Sequence, residues 1–416
     1  MKPIRYFYER DNEYIYLDDA TGTFGKCVSY QKDMKYNYYH LFKGDEESEE
    51  GLIKFKTKFE KWADELKTKG DIHYRDFYNH ASATEFIFKN YSYNLESETP
   101  NMHEYDFIED CNNGGLMYFD KEFQDQTIHS FGYDYNSFYP HILIHNELKI
   151  STKRGTRMRL NELDYDNLKY GIYKIKITTD DAEFKKVFGF SKKDTYTHFS
   201  IAFAYKHREQ FNIYFELDTV AEYNALIYAD EDLKPSVDIF SKWFDNLYNL
   251  KKQCDNALLK HVFSSLWGSI CALDIKYFHD DEMYTDGEEN QYKRINEKMF
   301  LQDGEIHTRY DCIKKAKPYK FHYGRMKPFI ISLARRVMGD LILSSGIIKN
   351  VMRCQTDNVV LKAPFDFSMN EISYYPRTED KTSGLIYWKG VNTYYHICSK
   401  CEEKYKYNLG HLCASS

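Results

Sequence analysis

Leu52, Phe55, Phe59, Trp62 and Leu66 recur every three or four residues, with Lys on the faces between them. This period predicts an amphipathic helix with one stripe turned to a core. Ahead of it, residues 3–40 alternate aromatic and polar side chains in short runs, the period-two pattern of strands, and GDEESEE over 44–50 reads as an acidic loop. Residues 90–113 are polar and turn-rich, a boundary before Gly114-Gly115. From residue 128 a strand leads into DYNSFYPHIL, where Pro140 begins a short helix. Strand-like runs (YGIYKIKI, FNIYFEL) alternate with basic turns over 150–235. One long helix is predicted from Val237 to Trp267, with Trp243, Leu247, Leu250, Leu258, Val262 and Leu266 as its buried face. Residues 272–322, which include the acidic turn DGEEN, read as an extended hairpin insertion. A further helix, Phe329 to Ser344, buries Ile330, Leu333, Val337 and Leu341 and stops at Gly346, before the strand VMRCQTDNVVLK. The fold class is α+β, and 416 residues suit two or three domains.

Composition narrows the class. Aromatics make up 17% of the chain and there are only 8 Pro, which excludes a disordered or collagen-like protein. The net charge of −7 argues against an electrostatic nucleic-acid binder until it is divided by position. Residues 1–130 hold 26 acidic and 16 basic side chains, whereas residues 131–416 hold 38 and 41. Between Arg309 and Arg336 there are nine Lys or Arg and one acid, Asp311, interleaved with Tyr310, Tyr319, Phe321 and Tyr323. That run suits either a solvated face or a nucleic-acid strand. No signal-peptide core and no apolar run of ~18 residues is present, so the expectation is a soluble, intracellular protein without membrane partners. Nine scattered Cys fit a reducing compartment.

Two acids sit at strand ends on either side of a Lys-bearing helix: Asp134 before a Ser-Phe-Tyr-Pro turn, and Asp357 in a Gln-Thr-Asp-Asn turn. Phosphoryl transfer uses such an inventory, with carboxylates holding two divalent cations and Lys neutralising a triphosphate. On the long predicted helix, Lys252, Asn256 and Lys260 fall at i, i+4 and i+8, one face that suits a phosphate track.

Read in order, the motifs resemble the family B DNA polymerases, most closely their protein-primed branch, over residues 110–400. Asp134-Tyr135-Asn136-Ser137-Phe138-Tyr139-Pro140 matches D-x-x-S-L-Y-P with Phe for Leu. Lys260 to Gly268 matches K-x-x-x-N-S-x-Y-G, with Ser264 for Asn and Trp267 for Tyr. Gln355-Thr356-Asp357-Asn358 matches D-T-D-S without the first Asp. Trp388-Lys389 and Asn392-Thr393-Tyr394 resemble the K-x-Y region, with Asn392 for Lys, and Asn113-Gly114-Gly115 resembles Y-x-G-G.

The resemblance implies a right-hand polymerase over 106–416: palm 110–150 and 345–375, an insertion 150–235, fingers 237–270, a hairpin insertion 272–322 and thumb 376–416. It implies that Asp134 and Asp357, with the Tyr135 carbonyl, hold two Mg2+ or Mn2+ ions, and that Lys260, with Lys251 or Lys252, binds the deoxynucleoside triphosphate. Ser137, Phe138, Tyr139, Ser264 and Trp267 would complete the nucleotide site, with Tyr139 beneath the sugar. Gly114, Gly115, Arg325, Lys327, Lys389, Thr393 and Tyr394 would face a DNA primer-template. A terminal priming protein is the further partner implied, with a virus, phage or linear mobile element as source and the host cytoplasm or an organelle as location.

Departures from the pattern leave a second reading open, a catalytically degenerate scaffold that binds nucleic acid or a partner. In the N-terminal third, Tyr16 to Thr21 and Phe77 to Ala83 weakly resemble the two exonuclease motifs, with Ala20 and Ala83 where acids belong. Residues 1–105 therefore read as a truncated, inactive exonuclease-like domain or as an unrelated small α+β domain, without proofreading either way. In the tail, Cys398, Cys401, His411 and Cys413 offer a zinc set, against a reduced structural tail. Gly22 to Lys26 lacks the spacing of a phosphate loop, and no serine-hydrolase elbow or zinc-protease motif occurs.

Overall fold

A computed structural model describes residues 2–10, 13–27, 35–42, 45–92, 95–111, 114–279, 291–302, 305–367, 374–376, 383–398, 401 and 403–405. Along the chain, β1 (Ile4–Arg10), β2 (Glu13–Asp18), β3 (Thr23–Cys27) and β4 (Asn37–His40) precede α1 (Glu49–Gly70) and α2 (His80–Tyr91). Then come α3 (Met102–Asp110), β5 (Met117–Phe119), β6 (Gln126–Tyr135), α4 (Phe138–Leu143), β7 (Lys149–Ser151), β8 (Thr156–Met158), β9 (Gly171–Thr178), β10 (Thr195–Thr197), α5 (His198–Lys206), β11 (Tyr214–Leu217), β12 (Ala225–Ile227) and β13 (Leu233–Pro235). Helices α6 (Ser236–Gln253) and α7 (Ala257–Ile270) lead into β14 (Ile275–His279), β15 (Tyr292–Gln302) and β16 (Glu305–Lys314). The remainder is α8 (Lys327–Ser344), β17 (Val351–Gln355), β18 (Asn358–Leu361), β19 (Tyr374–Pro376), β20 (Gly384–Trp388), β21 (Tyr394–Ile397) and β22 (Lys404–Tyr405). Among the described residues no helix is long and apolar enough to cross a membrane.

The chain forms two compact units, and neither is contiguous. One comprises Met1–Asn101 with Ser236–Gly324, the other Met102–Pro235 with Arg325–Ser416. In the first unit β1 pairs antiparallel with β2 and parallel with β4, giving the order β3-β2-β1-β4. Helix α1 forms where its period placed it. The Ser48 hydroxyl accepts from the Gly51 amide, Glu49 and Glu50 occupy the first turn and Lys67 and Lys69 the last, an arrangement that suits the helix dipole. Its stripe is buried at Leu52, Phe55, Phe59 and Leu66, with Ala63 rather than half-buried Trp62 completing it. Tyr6 packs edge-on to Phe55 and Phe59 at ring separations of 6.0 and 5.4 Å.

The single helix expected over 237–267 is two. Asn256 leaves helical geometry at φ −122° and ψ 118°, and its side chain accepts from the amides of Leu258 and Leu259, so it caps α7. Its Nδ2 donates to the Trp62 carbonyl and to Glu65, which ties the break to α1. Lys252, Asn256 and Lys260 thus do not share a helix face. The expected hairpin over 272–322 is a three-stranded antiparallel sheet, β14-β16-β15, and the DGEEN turn lies outside the described residues.

The second unit is built on a mixed-length antiparallel sheet in the order β22-β21-β20-β6-β18-β17-β5, with β19 also on β6. Residues 384–405, expected as a thumb, continue this sheet. A second sheet, β10-β9-β12-β8 with β11 also on β9, occupies the region of the expected insertion. Helix α8 buries Phe329, Ile330, Leu333, Met338 and Leu341, with Val337 only half-buried, and Gly346 at φ 67° ends it. Met352, Val360, Ile386 and Trp388 form a core inside the larger sheet.

Candidate active site

Asp134 and Asp357 are brought together by strand pairing in the second unit. Asn358 of β18 lies opposite Asp134 of β6, and the Tyr135 amide donates to the Asp357 carbonyl at 2.9 Å. Two acids separated by 223 positions therefore stand at the same end of adjacent strands, both only partly buried. The β17–β18 register pairs Gln355 with Asn358, so Thr356-Asp357 is a two-residue turn. Thr356 sits at φ 61°, a conformation that costs a β-branched residue about 1–3 kcal/mol. Its amide donates to the Leu116 carbonyl at 2.8 Å, and Gly115 presses against it: a Cβ at 115 would lie 2.9 Å from Thr356 Oγ1 and 3.2 Å from its Cα. Of Gly114-Gly115, expected as a DNA-facing element, Gly115 thus lies against the turn that carries Asp357, while a Cβ at Gly114 would meet open space.

Beyond Asp134 the chain turns sharply. Ser137 adopts the left-handed conformation at φ 56°, and its carbonyl accepts from the His141 amide and from His141 Nδ1. This starts α4, buries Phe138 and leaves Tyr139 half-buried. The Tyr139 hydroxyl is pushed well above its ordinary pKa, first by burial and then by the negative charge of Asp357, with Arg335 acting in the opposite sense. Tyr139, Asp357 and Arg335 therefore share one electrostatic neighbourhood.

Arg353, one strand step behind Gln355, was missed by the motif reading. It is 1% exposed. Its Nη1 donates to Asn358 Oδ1 at 2.6 Å, its Nε to the Val391 carbonyl at 2.6 Å and its Nη2 to Gln355 Oε1. The guanidinium also lies 5.5 and 5.4 Å from the ring centres of Trp388 and Tyr394. Burial lowers its pKa, against the opposing influence of Tyr394, Cys354 and Asp134. Gln355 in turn donates to Asn392 Oδ1 at 2.6 Å. The only sequence signal was an Arg inside the apolar strand Val351–Gln355.

The other expected residues divide. Lys260, Ser264, Trp267 and Gly268 fall on the less buried face of α7, opposite Leu258, Leu259, Val262, Phe263 and Leu266, and belong to the first unit. Lys260 pairs with Asp255, Lys251 lies 6.0 Å from the Phe263 ring and Lys252 4.4 Å from that of Tyr248. Lys389 and Thr393 close the β20–β21 turn through a 2.9 Å amide–carbonyl bond. Arg325 is 1% exposed, bonded to Glu104 and the Ser151 carbonyl, so its charge is structural and not presented to DNA. Lys327 pairs with Glu109. Cys398 and Cys401 are described, but His411 and Cys413 lie outside the described residues. Among the described residues no group of three His, Cys, Asp or Glu is placed to hold a metal ion.

Neither a protein-family model nor a curated protein matches this chain. Solved structures do. A structure of phi29 DNA polymerase with single-stranded DNA matches with a TM-score of 0.55 at 13% identity, over 79% of this chain and 56% of that one. The fold is similar to that of phi29 DNA polymerase. Its ternary complex with primer-template DNA and incoming nucleotide gives 0.52 at 12% identity over 81% and 59%, and its binary primer-template complex 0.51 at 13% over 83% and 59%. The likeness covers most of this chain, which spans little more than half the length of phi29 DNA polymerase.

Proposed function

We propose that this protein is a template-directed DNA polymerase that adds deoxynucleotides to a 3′-hydroxyl or a protein primer, without proofreading. The observation that carries the reading is the pairing of β6 with β18, which sets two partly exposed acidic residues, Asp134 and Asp357, at the same end of adjacent strands. The donor set fits magnesium or manganese: hard oxygen ligands, with one or two carboxylates and the remaining positions left to water, a backbone carbonyl and triphosphate oxygens. Such ions, when bound, stabilise the charge on the attacking and leaving oxygens. Asp134 and Asp357 would hold them, and Tyr139 would lie under the nucleotide sugar. DNA binding follows from the same reading, as does a terminal priming protein as partner.

The acids at the exonuclease-like positions support the absence of proofreading. Asp18 is bonded to Arg5, Asp19 pairs with Lys56, and the methyl side chains of Ala20 and buried Ala83 have no atom that could ligate a metal. One observation favours the alternative of a degenerate scaffold: Gln355 supplies no charge and its amide is engaged by Arg353 and Asn392. Primer extension with Mg2+ or Mn2+ separates the two. The polymerase reading expects incorporation by the wild type and its loss in Asp357→Asn. DNA binding with no incorporation on any primer would establish the scaffold reading instead.

A further inference from the structure

Gln355 and Asn392 are two of the positions at which the chain replaces a charged motif residue with a neutral one, an acid in the first case and a lysine in the second. They are far apart in sequence, yet Gln355 Nε2 donates to Asn392 Oδ1 at 2.6 Å. Their orientation is dictated from behind. Arg353 only donates, so it takes Oε1 of Gln355 and leaves the amide NH2 facing Asn392, which must then present its carbonyl. The same guanidinium reaches the Val391 carbonyl in the β20–β21 turn and Asn358, the neighbour of Asp357. Its hydrogen-bond partners are amide and carbonyl oxygens, and the rings of Trp388 and Tyr394 cover it.

We propose that Arg353 is a positioning residue that, through Gln355 and Asn392, holds the β20–β21 turn against the turn bearing Asp357, and that Gln355 and Asn392 are a matched neutral pair rather than two separate losses. An acid at 355 with a lysine at 392 is self-consistent, because the acid accepts from both Arg353 and the ammonium. Two amides are also self-consistent. A lysine at 392 facing Gln355 is not: the ammonium meets the NH2 of Gln355, donor against donor, beside a second cation. The positioning role rests on the polymerase reading above, whereas the pairing does not.

The test is a cycle of Asn392→Lys in two backgrounds, wild type and Gln355→Asp, read first by thermal unfolding. Asn392→Lys alone is expected to lower Tm by about 2–4 °C. In the Gln355→Asp background it is expected to cost about 1 °C or less. Equal losses in both backgrounds would overturn the pairing. For positioning, Arg353→Lys keeps the charge but loses the fork, and the KM for primer-template is expected to rise about tenfold with kcat within about threefold. Unchanged KM in a folded Arg353→Lys protein would overturn that role. A wild type that neither binds nor extends primer-template removes the polymerase reading and the positioning role together, while the unfolding cycle still decides the pairing.

Discussion

Asp134 and Asp357 owe their proximity to backbone bonds, which an Asn at either position can still make. Asp134→Asn and Asp357→Asn are expected to lower primer extension by at least about 10³-fold, from the several kcal/mol that metal-held charge contributes. Their unfolding midpoints should stay near that of the wild type. Gly115→Ala acts on the same turn from outside the chemistry: the added Cβ meets the Thr356 backbone at 3.2 Å, and a shift of Asp357 by even part of an ångström is expected to cost about 10²-fold in extension. Steady-state kinetics beside a circular-dichroism melt checks both. At this scale the motif strings singled out Asp134, Asp357 and Tyr139, since each string is local. Arg353 escaped because its partners stand at 355, 358 and 391, which only pairing brings together. Arg325 misled for the converse reason: in a basic run it looks exposed, but Glu104 draws it inside.

At the level of elements, the helical period runs on through the break between α6 and α7, since both helices keep a stripe toward the same unit. Asp255-Asn256 ahead of Leu258 and Leu259 was the readable start signal. Asn256→Ala removes the cap and the bonds to Trp62 and Glu65, and is expected to destabilise by about 1–2 kcal/mol, measured as a lower urea midpoint at constant slope. An unchanged midpoint would mean that the break is held elsewhere. Helices α1 and α8 and the β17–β18 turn were legible because their periods and stop signals are short-range. The order of the sheets was not, because β6 pairs with strands more than two hundred residues away.

On the scale of the molecule, the charge division made along the sequence does not follow the folded units. The first unit carries 28 basic and 33 acidic side chains, net −5, and the second 29 and 31, net −2. The basic run from Arg309 is cut between Gly324 and Arg325, with Arg325, Lys327 and Arg336 each ion-paired within the second unit. Burial also gives the protein a pH dependence. The pKa values of His80 and His198 are pushed down to about 3, mainly by burial, and that of His261 is lowered by the same cause. The unfolded chain takes up protons on these rings below about pH 6.5, whereas the folded one stays neutral until far lower. Stability is therefore expected to be full above pH 6.5 and to fall as the pH drops toward 3, seen as a lower urea midpoint at pH 5.0 than at pH 7.5. Incubation with 3′-labelled single-stranded DNA and Mg2+ is expected to release no nucleotide, and release abolished by Asp18→Asn would restore an active nuclease to residues 1–105.

Local pattern was sufficient for the mixed helix-and-strand class, the amphipathic stripes, the stop at Gly346 and the motif strings around Asp134 and Asp357, because each depends on side chains within a few residues of one another. Long-range pairing was needed for the rest: which strands adjoin β6, which stretches fold as one unit, and how Arg353 unites Gln355 with Asn392. Burial and hydrogen-bond partners at those places are contributed by segments distant along the chain, and no short window of the sequence contains both.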